Sequence, residues 1–253
     1  MSSKVIIVTG SNSGIGKATS KRLAEMGEIV VMTVRDRSKG ELAHKEIIED
    51  TGNEMTALMI CDVSSIKSVR RFSDNFKDSF GKLDVLINNA GAIFMKREIT
   101  PEGFEKSFAT NYLGPFTLTN ELLPILKKTA PSRIINISSG IHQIGKIEFQ
   151  DLQNAKNYRG MNAYANSKLL LTTHTYELAN SLQGTGVTAN IVEPGFVSTN
   201  LGNNSGSLFL KLMFGIAKPL RSPTRYKHPT AALIIDYDSY EQYFFRPSDR
   251  SNR

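Results

Sequence analysis

The chain has 253 residues, 40% hydrophobic and 22% charged, which suits one globular domain with an ample core and excludes a disordered class. Its single cysteine, Cys61, excludes an internal disulfide and favours a reducing compartment, a small buried residue being its plain role. The net charge of +7 comes from scattered basic residues without interleaved aromatics, so no nucleic acid partner is expected; an anionic cofactor or an acidic membrane surface accounts for the excess.

Short β-branched runs at 4–8, 29–33, 55–60, 85–88, 133–138 and 187–192, each bounded by Gly, Asn, Ser or Pro, predict strands buried on both faces. Helical stretches fall between them at 15–26, 38–50, 65–80, 101–128 and 162–182. This alternation predicts an α/β, doubly wound (Rossmann) parallel sheet with helices on both faces, as a single domain over 1–253. No apolar run reaches the roughly 18 to 20 residues of a membrane span, and Lys4 leads directly into a strand, so a soluble, cytoplasmic protein is expected. Residues 199–223 break the rhythm, polar at Gly202-Asn203-Asn204-Ser205-Gly206 and then apolar through Leu208, Phe209, Leu210, Leu212, Met213 and Phe214. They read either as a lid over a ligand or as an amphipathic helix packed on the body.

The first strand runs into Thr9-Gly10-Ser11-Asn12-Ser13-Gly14-Ile15-Gly16 and a helix follows at once. Gly10 permits a sharp turn, Gly14 a close backbone approach to a pyrophosphate, and Gly16 tight helix packing, which places phosphates at a helix N-terminus. The spacing is G-x-x-x-G-x-G rather than the general G-x-G-x-x-G. At the end of the second strand, Arg35 suits a ribose 2′-phosphate and so favours NADP(H), with NAD(H) as the alternative. The plainer reading is a solvated arginine beside a capping Asp36.

After the third strand, Asp62 and the adjoining Val63 stand where an adenine amino group can be met; capping the next helix is the other role for Asp62. The fourth strand ends in Asn88-Asn89-Ala90-Gly91, a turn able to brace the sheet and let a cofactor pass. The fifth ends in Ser138-Ser139-Gly140, where a hydroxyl can hold a substrate oxygen or simply cap a turn. Tyr164 and Lys168 lie four residues apart in a helix, so they share a face, and an ammonium beside a phenol lowers its pKa toward neutrality. The sixth strand closes in Glu193-Pro194-Gly195-Phe196-Val197-Ser198-Thr199, where Thr199 suits a carboxamide. No metal site is expected.

Taken in order, Thr9–Gly16, Asn88–Gly91, Asn111, Ser139, Tyr164 with Lys168, and Pro194-Gly195 resemble the short-chain dehydrogenase/reductase family over about residues 4–222. Asn111-Tyr112-Leu113-Gly114-Pro115-Phe116 and Gly145-Lys146-Ile147-Glu148-Phe149-Gln150-Asp151-Leu152 resemble its retinol dehydrogenase-like branch, which includes the oxidoreductase domain of WW-domain-containing oxidoreductase. The resemblance implies an oxidoreductase interconverting a carbonyl and an alcohol on a hydrophobic substrate such as a retinoid, a lipid aldehyde or a steroid. In it Tyr164 is the general acid/base, Lys168 its partner and a ligand of the nicotinamide ribose, Ser139 the polariser of the substrate oxygen, and Asn111 the holder of a relay water. Pro194, Gly195, Val197 and Thr199 join the cofactor set. Dimerisation through the helices at 101–128 and 162–182 is also implied, and the apolar 199–223 segment with the positive charge permits peripheral membrane contact.

Two departures stand out. Glu193 replaces the histidine usual in that branch, and residues 226–245 lack the glycine that introduces the last strand. The second keeps open a cofactor-binding regulatory or scaffold protein with weak turnover.

Overall fold

The computed structural model describes residues 3–194. Six strands, β1 (Val5–Thr9), β2 (Ile29–Val34), β3 (Ala57–Ile60), β4 (Val85–Asn88), β5 (Ser132–Ile137) and β6 (Val187–Val192), lie parallel in the order β3-β2-β1-β4-β5-β6. The connections carry α1 (Gly14–Glu25), α2 (Arg37–Thr51), α3 (Ile66–Ser79), the single turn α4 (Lys106–Phe108), α5 (Gly114–Thr129) and α6 (Gly160–Ser181). Strand order reverses between β1 and β4, and a doubly wound sheet takes its ligands in the crevice beyond the carboxyl ends at such a point.

Alternation of side chains along each strand feeds two core layers. Val5 and Ile7 enter one with Phe72 and Phe76 of α3 and Leu118 and Leu122 of α5. Ile6 and Val8 enter the other with Leu23 of α1 and Ile47 of α2. Both faces of β1 are therefore covered, which is why its sequence is an unbroken apolar run. Cys61 is buried, and burial, followed by the neighbouring Asp62 charge, pushes its thiol up to about 12, so it behaves as an inert small residue.

A chain of buried polar groups joins the sheet to α5 and α6. Asn88 and Asn136 are register partners on β4 and β5. Asn88 Nδ2 donates to Asn136 Oδ1 (2.8 Å) and to Thr119 Oγ1 of α5 (3.1 Å), while Asn136 Nδ2 donates to Thr175 Oγ1 of α6 (2.7 Å). One step along, Ser138 Oγ and Thr172 Oγ1 of α6 are 2.9 Å apart. Such bonds have direction, so they fix where α6 sits along the strands in a way that apolar packing alone does not.

The expected elements are present, with ends shifted by one or two residues, except at 101–128. There the helical chain begins only at Lys106, after a turn closed by an antiparallel bridge between Ile99 and Glu105. The fully buried Glu105 carboxylate accepts from the N–H of Ser107 (2.7 Å) and Phe108 (2.8 Å), a cap that starts the helix there. Residues 109–113 then form one π turn before α5, with the Gly114 N–H donating to Ala109 O. Pro115 has no N–H for the Asn111 carbonyl, and a Cβ on Gly114 would fall 2.0 Å from Val63 O. The 199–223 segment and the departure at 226–245 lie outside the described residues.

Candidate active site

The turn after β1 is held open by backbone that favours glycine. Gly10 has φ +67° and Gly14 φ +57°, and a Cβ on Gly16 would fall 2.4 Å from both Gly10 O and Asn89 Nδ2. From the end of β4, Asn89 Nδ2 donates to Thr9 O (2.7 Å), and Thr9 Oγ1 accepts from the N–H groups of Asn89 (2.9 Å) and Ala90 (3.0 Å). Ser13, the residue that opens α1, makes no capping bond through its side chain, so the orphan N–H groups of that helix end are left for an anion.

Beside this turn lies a cleft of about 540 Å³. Of the expected cofactor residues, Gly10, Asn12, Ser13, Arg35, Asp62, Val63, Ala90 and Gly91 line it. Ser11, Ile15, Gly16 and Asn89 do not; Ser11 Oγ donates to Thr33 O (3.2 Å), and Gly16 and Asn89 shape the turn from behind. Gly14 is also outside the lining and contributes its positive φ. Pro194 is partly buried just past β6; Gly195, Val197 and Thr199 lie outside the described residues.

Sequence reasoning missed several lining groups: Lys17 in the first turn of α1, Lys39 in the first turn of α2, Glu46, and Thr110. Lys17 pairs with Glu46, and Lys39 Nζ stands 3.7 Å from Asp36 Oδ2. The legible signal for Lys17 and Lys39 was a cation within a few residues of a helix start at the strand ends. Thr110 Oγ1 is buried without a hydrogen-bond partner among the described residues, and Thr110 lines the cleft.

The two carboxylates with open roles now separate. Asp36 accepts from Ser38 Oγ (2.7 Å) and Lys39 N–H (3.2 Å) and caps α2, and these bonds hold its carboxyl below the usual range. Capping of α3 falls to Ser65, whose Oγ accepts from Ser68 N–H (3.2 Å). Asp62 instead accepts from the N–H and Oγ of Ser64, and both carboxylates line the cleft.

Tyr164 and Lys168 lie one turn apart on α6, 6% and 4% exposed, and Ser139 is near enough to the phenol to pull its pKa down. Lys168 Nζ donates to Ile137 O at the end of β5 (2.7 Å) and stands 5.8 Å from the centre of the Tyr164 ring. The expected lowering of the Tyr164 pKa by Lys168 is not what this geometry gives. Burial is the largest influence and pushes the phenol up to about 12, against a smaller downward pull from Ser139. Burial also pushes Lys168 down to about 8.

Asn111 sits in the middle of the π turn, fully buried. Its Nδ2 donates to Ala92 O (2.9 Å) and Ser167 Oγ (3.1 Å), and its Oδ1 accepts from Ala92 N–H (2.9 Å). A Cβ on Gly91 would approach Asn111 Oδ1 at 3.2 Å and Lys168 Nζ at 3.4 Å, so both side chains converge on the turn after β4. Ser139 also opens the 3-10 turn Gly140–Ile144, its Oγ 3.5 Å from the Ile141 N–H. The capping role and the contact with Tyr164 coexist in one residue.

Cleft volume, glycine turn, orphaned Thr110 hydroxyl and clustered cations together fit a dinucleotide, with the Tyr164 group at the ends of β4 and β5. Residues 4–207 match the family described as short chain dehydrogenase. The chain belongs to that family. Retinol dehydrogenase 12 of Mus musculus is 47% identical over 207 residues, 82% of this chain and 66% of that protein, so the chain spans just under two thirds of that relative's length. Among solved structures, an uncharacterized protein of Mycobacterium paratuberculosis superposes with TM-score 0.69 at 35% identity, covering 83% of this chain and 75% of that one. The RhlG/NADP complex of Pseudomonas aeruginosa gives TM-score 0.66 at 26% identity, covering 81% and 77%. Among the described residues of this family member, no helix is long and apolar enough to cross a membrane.

Proposed function

We propose that this short-chain dehydrogenase is an NADP(H)-dependent oxidoreductase that interconverts a carbonyl and an alcohol on a hydrophobic substrate, a retinoid, lipid aldehyde or steroid. The observation that carries this reading is the buried Tyr164 phenol beside Ser139, one helical turn from Lys168, whose Nζ is tied to Ile137 O at the carboxyl end of β5. Its likeness to retinol dehydrogenase 12 supports the substrate class.

A bound nicotinamide dinucleotide supplies or takes up the hydride. The turn Gly10–Gly16 would hold its pyrophosphate, Asp62 and Val63 would flank the adenine, and Lys168 would meet the nicotinamide ribose. Arg35, with Lys17 and Lys39 close by, would take the 2′-phosphate. The NADP in the RhlG complex agrees with that preference. In reduction, Ser139 donates to the substrate oxygen while Tyr164 delivers its proton to the same atom; in oxidation Tyr164 removes it. A phenol pushed up to about 12 keeps its proton at neutral pH, which favours reduction there.

Purified protein assayed for NADPH oxidation on retinaldehydes, alkanals and ketosteroids, with NADH in parallel, tests the reading. Tyr164→Phe is expected to remove most turnover, by about 100-fold or more, with NADPH affinity retained. Arg35→Ala is expected to weaken NADPH much more than NADH. Unchanged catalysis in the first variant would sink the enzyme assignment; equal losses for both cofactors in the second would remove the NADP preference. Tight NADPH binding with no turnover on the whole panel would favour the scaffold alternative.

A further inference from the structure

His142 belongs to the 3-10 turn that Ser139 opens, and Glu193 follows β6, whose last residue Val192 is the register partner of Ile137 on β5. His142 Nδ1 lies 2.8 Å from Glu193 Oε1 and 2.9 Å from the backbone oxygen of Ser139. The same Ser139 oxygen accepts from the His142 backbone N–H at 3.0 Å. Both neighbours of Nδ1 are acceptors, so Nδ1 carries a hydrogen, and that single N–H is shared between the Glu193 carboxylate and the Ser139 carbonyl. The contact is partly sheltered, with the His142 side chain 20% exposed and that of Glu193 36%.

We infer that Glu193 and His142 are positioning residues for Ser139, a carboxylate–imidazole–carbonyl strut that holds the backbone from which the serine hydroxyl reaches the substrate oxygen. The inference rests on the reading of Ser139 as the polarising hydroxyl. The Ser139 hydroxyl is aimed by its own backbone, and that backbone lies at the point where β5 ends and regular pairing with β6 stops. The short turn supplies only a 3.5 Å contact from Ile141 N–H to the hydroxyl itself. His142 adds a second bond to the Ser139 carbonyl, and Glu193 fixes the ring that makes it. The strut also joins the substrate side of the site to the residue before Pro194, so the β5 and β6 ends move as one.

The test compares Glu193→Ala, Glu193→Gln and His142→Phe, alone and with Ser139→Ala, in single-turnover hydride transfer from NADPH to the best carbonyl of the panel. Glu193→Ala and His142→Phe are each expected to lower the transfer rate about tenfold with NADPH affinity unchanged. Glu193→Gln keeps an acceptor oxygen opposite Nδ1 and is expected to restore most of the rate. In the Ser139→Ala background neither Glu193→Ala nor His142→Phe is expected to have a further effect, because the strut acts only through Ser139. Nitrogen-15 NMR of the histidines adds a readout independent of turnover: the His142 Nδ1–H signal is expected to move in Glu193→Ala, where the Ser139 carbonyl alone accepts the hydrogen, and to return toward its wild-type position in Glu193→Gln. Equal rate losses with and without Ser139, or an Nδ1 signal unmoved by Glu193→Ala, would overturn the strut. Full turnover by Ser139→Ala alone would instead overturn the role of Ser139, and the strut with it.

Discussion

Burial moves Tyr164 and Lys168 in opposite directions, and each shift has a consequence for stability. Burial pushes Lys168 down to about 8 in the fold against 10.5 for a free lysine, so between those values the unfolded chain binds more protons and stability rises with pH. Tyr164 holds its proton up to about 12 against 10.0, so stability falls as pH climbs through that interval. Lys168→Met removes the first effect and leaves the second. The stability of the wild type relative to that variant, from urea unfolding across pH, is expected to gain roughly 3 kcal/mol between pH 8 and 10.5. A flat difference would show that Lys168 is not held in a low-dielectric site. At this scale the sequence was legible in bringing Tyr164, Lys168 and Ser139 to one place, since helix spacing and strand ends set their positions. It was not legible where one residue type serves two purposes. Only the hydrogen bonds of Ser38, Ser64 and Ser65 separate Asp36 as the cap of α2 from Asp62, which leaves the cap of α3 to Ser65.

Strands and helices were legible because each is a run of one periodicity between breakers, and β4 and β6 match their sequence runs residue for residue. The stretch at 101–128 was misjudged at its start, since Glu105 as a buried cap depends on a fold that brings its carboxylate out of water. The polar chain from Asn88 through Asn136 to Thr175 was equally hidden, because partners 48 and 39 residues apart leave no local pattern. Asn136→Ala leaves Asn88 Nδ2 with one partner fewer and Thr175 without its donor. We expect a loss of about 1–3 kcal/mol in urea unfolding. A loss below about 0.5 kcal/mol would mean that packing alone seats α6.

For the whole molecule, we propose two partner readings from the charge of +7 and the family likeness: a homodimer, and peripheral contact with anionic membranes. Ultracentrifugation addresses both. The protein alone is expected to sediment at twice 28.0 kDa, and to float with anionic but not neutral vesicles at low salt, the association fading as salt screens it. A monomer at micromolar concentration ends the first reading, and no flotation at low salt ends the second. The parallel sheet and the layering of helices on both its faces were readable in advance because α/β alternation admits few arrangements. Substrate choice was not, since it belongs to loops whose shape no period encodes.

The π turn at 109–113 acts as a phase shift in a gear train. One extra residue advances a helix by about 100°, so the chain before it and the chain after it present differently aligned faces although they share an axis. Downstream, Leu118 and Leu122 mesh with the core; at the turn itself, Asn111 meshes with Ala92 and Ser167. A regular helix here would satisfy one mesh and miss the other by more than a quarter turn. The length of this segment is therefore as fixed as its residues, and a single deletion inside it would turn Asn111 away from Lys168 while leaving every side chain chemically intact.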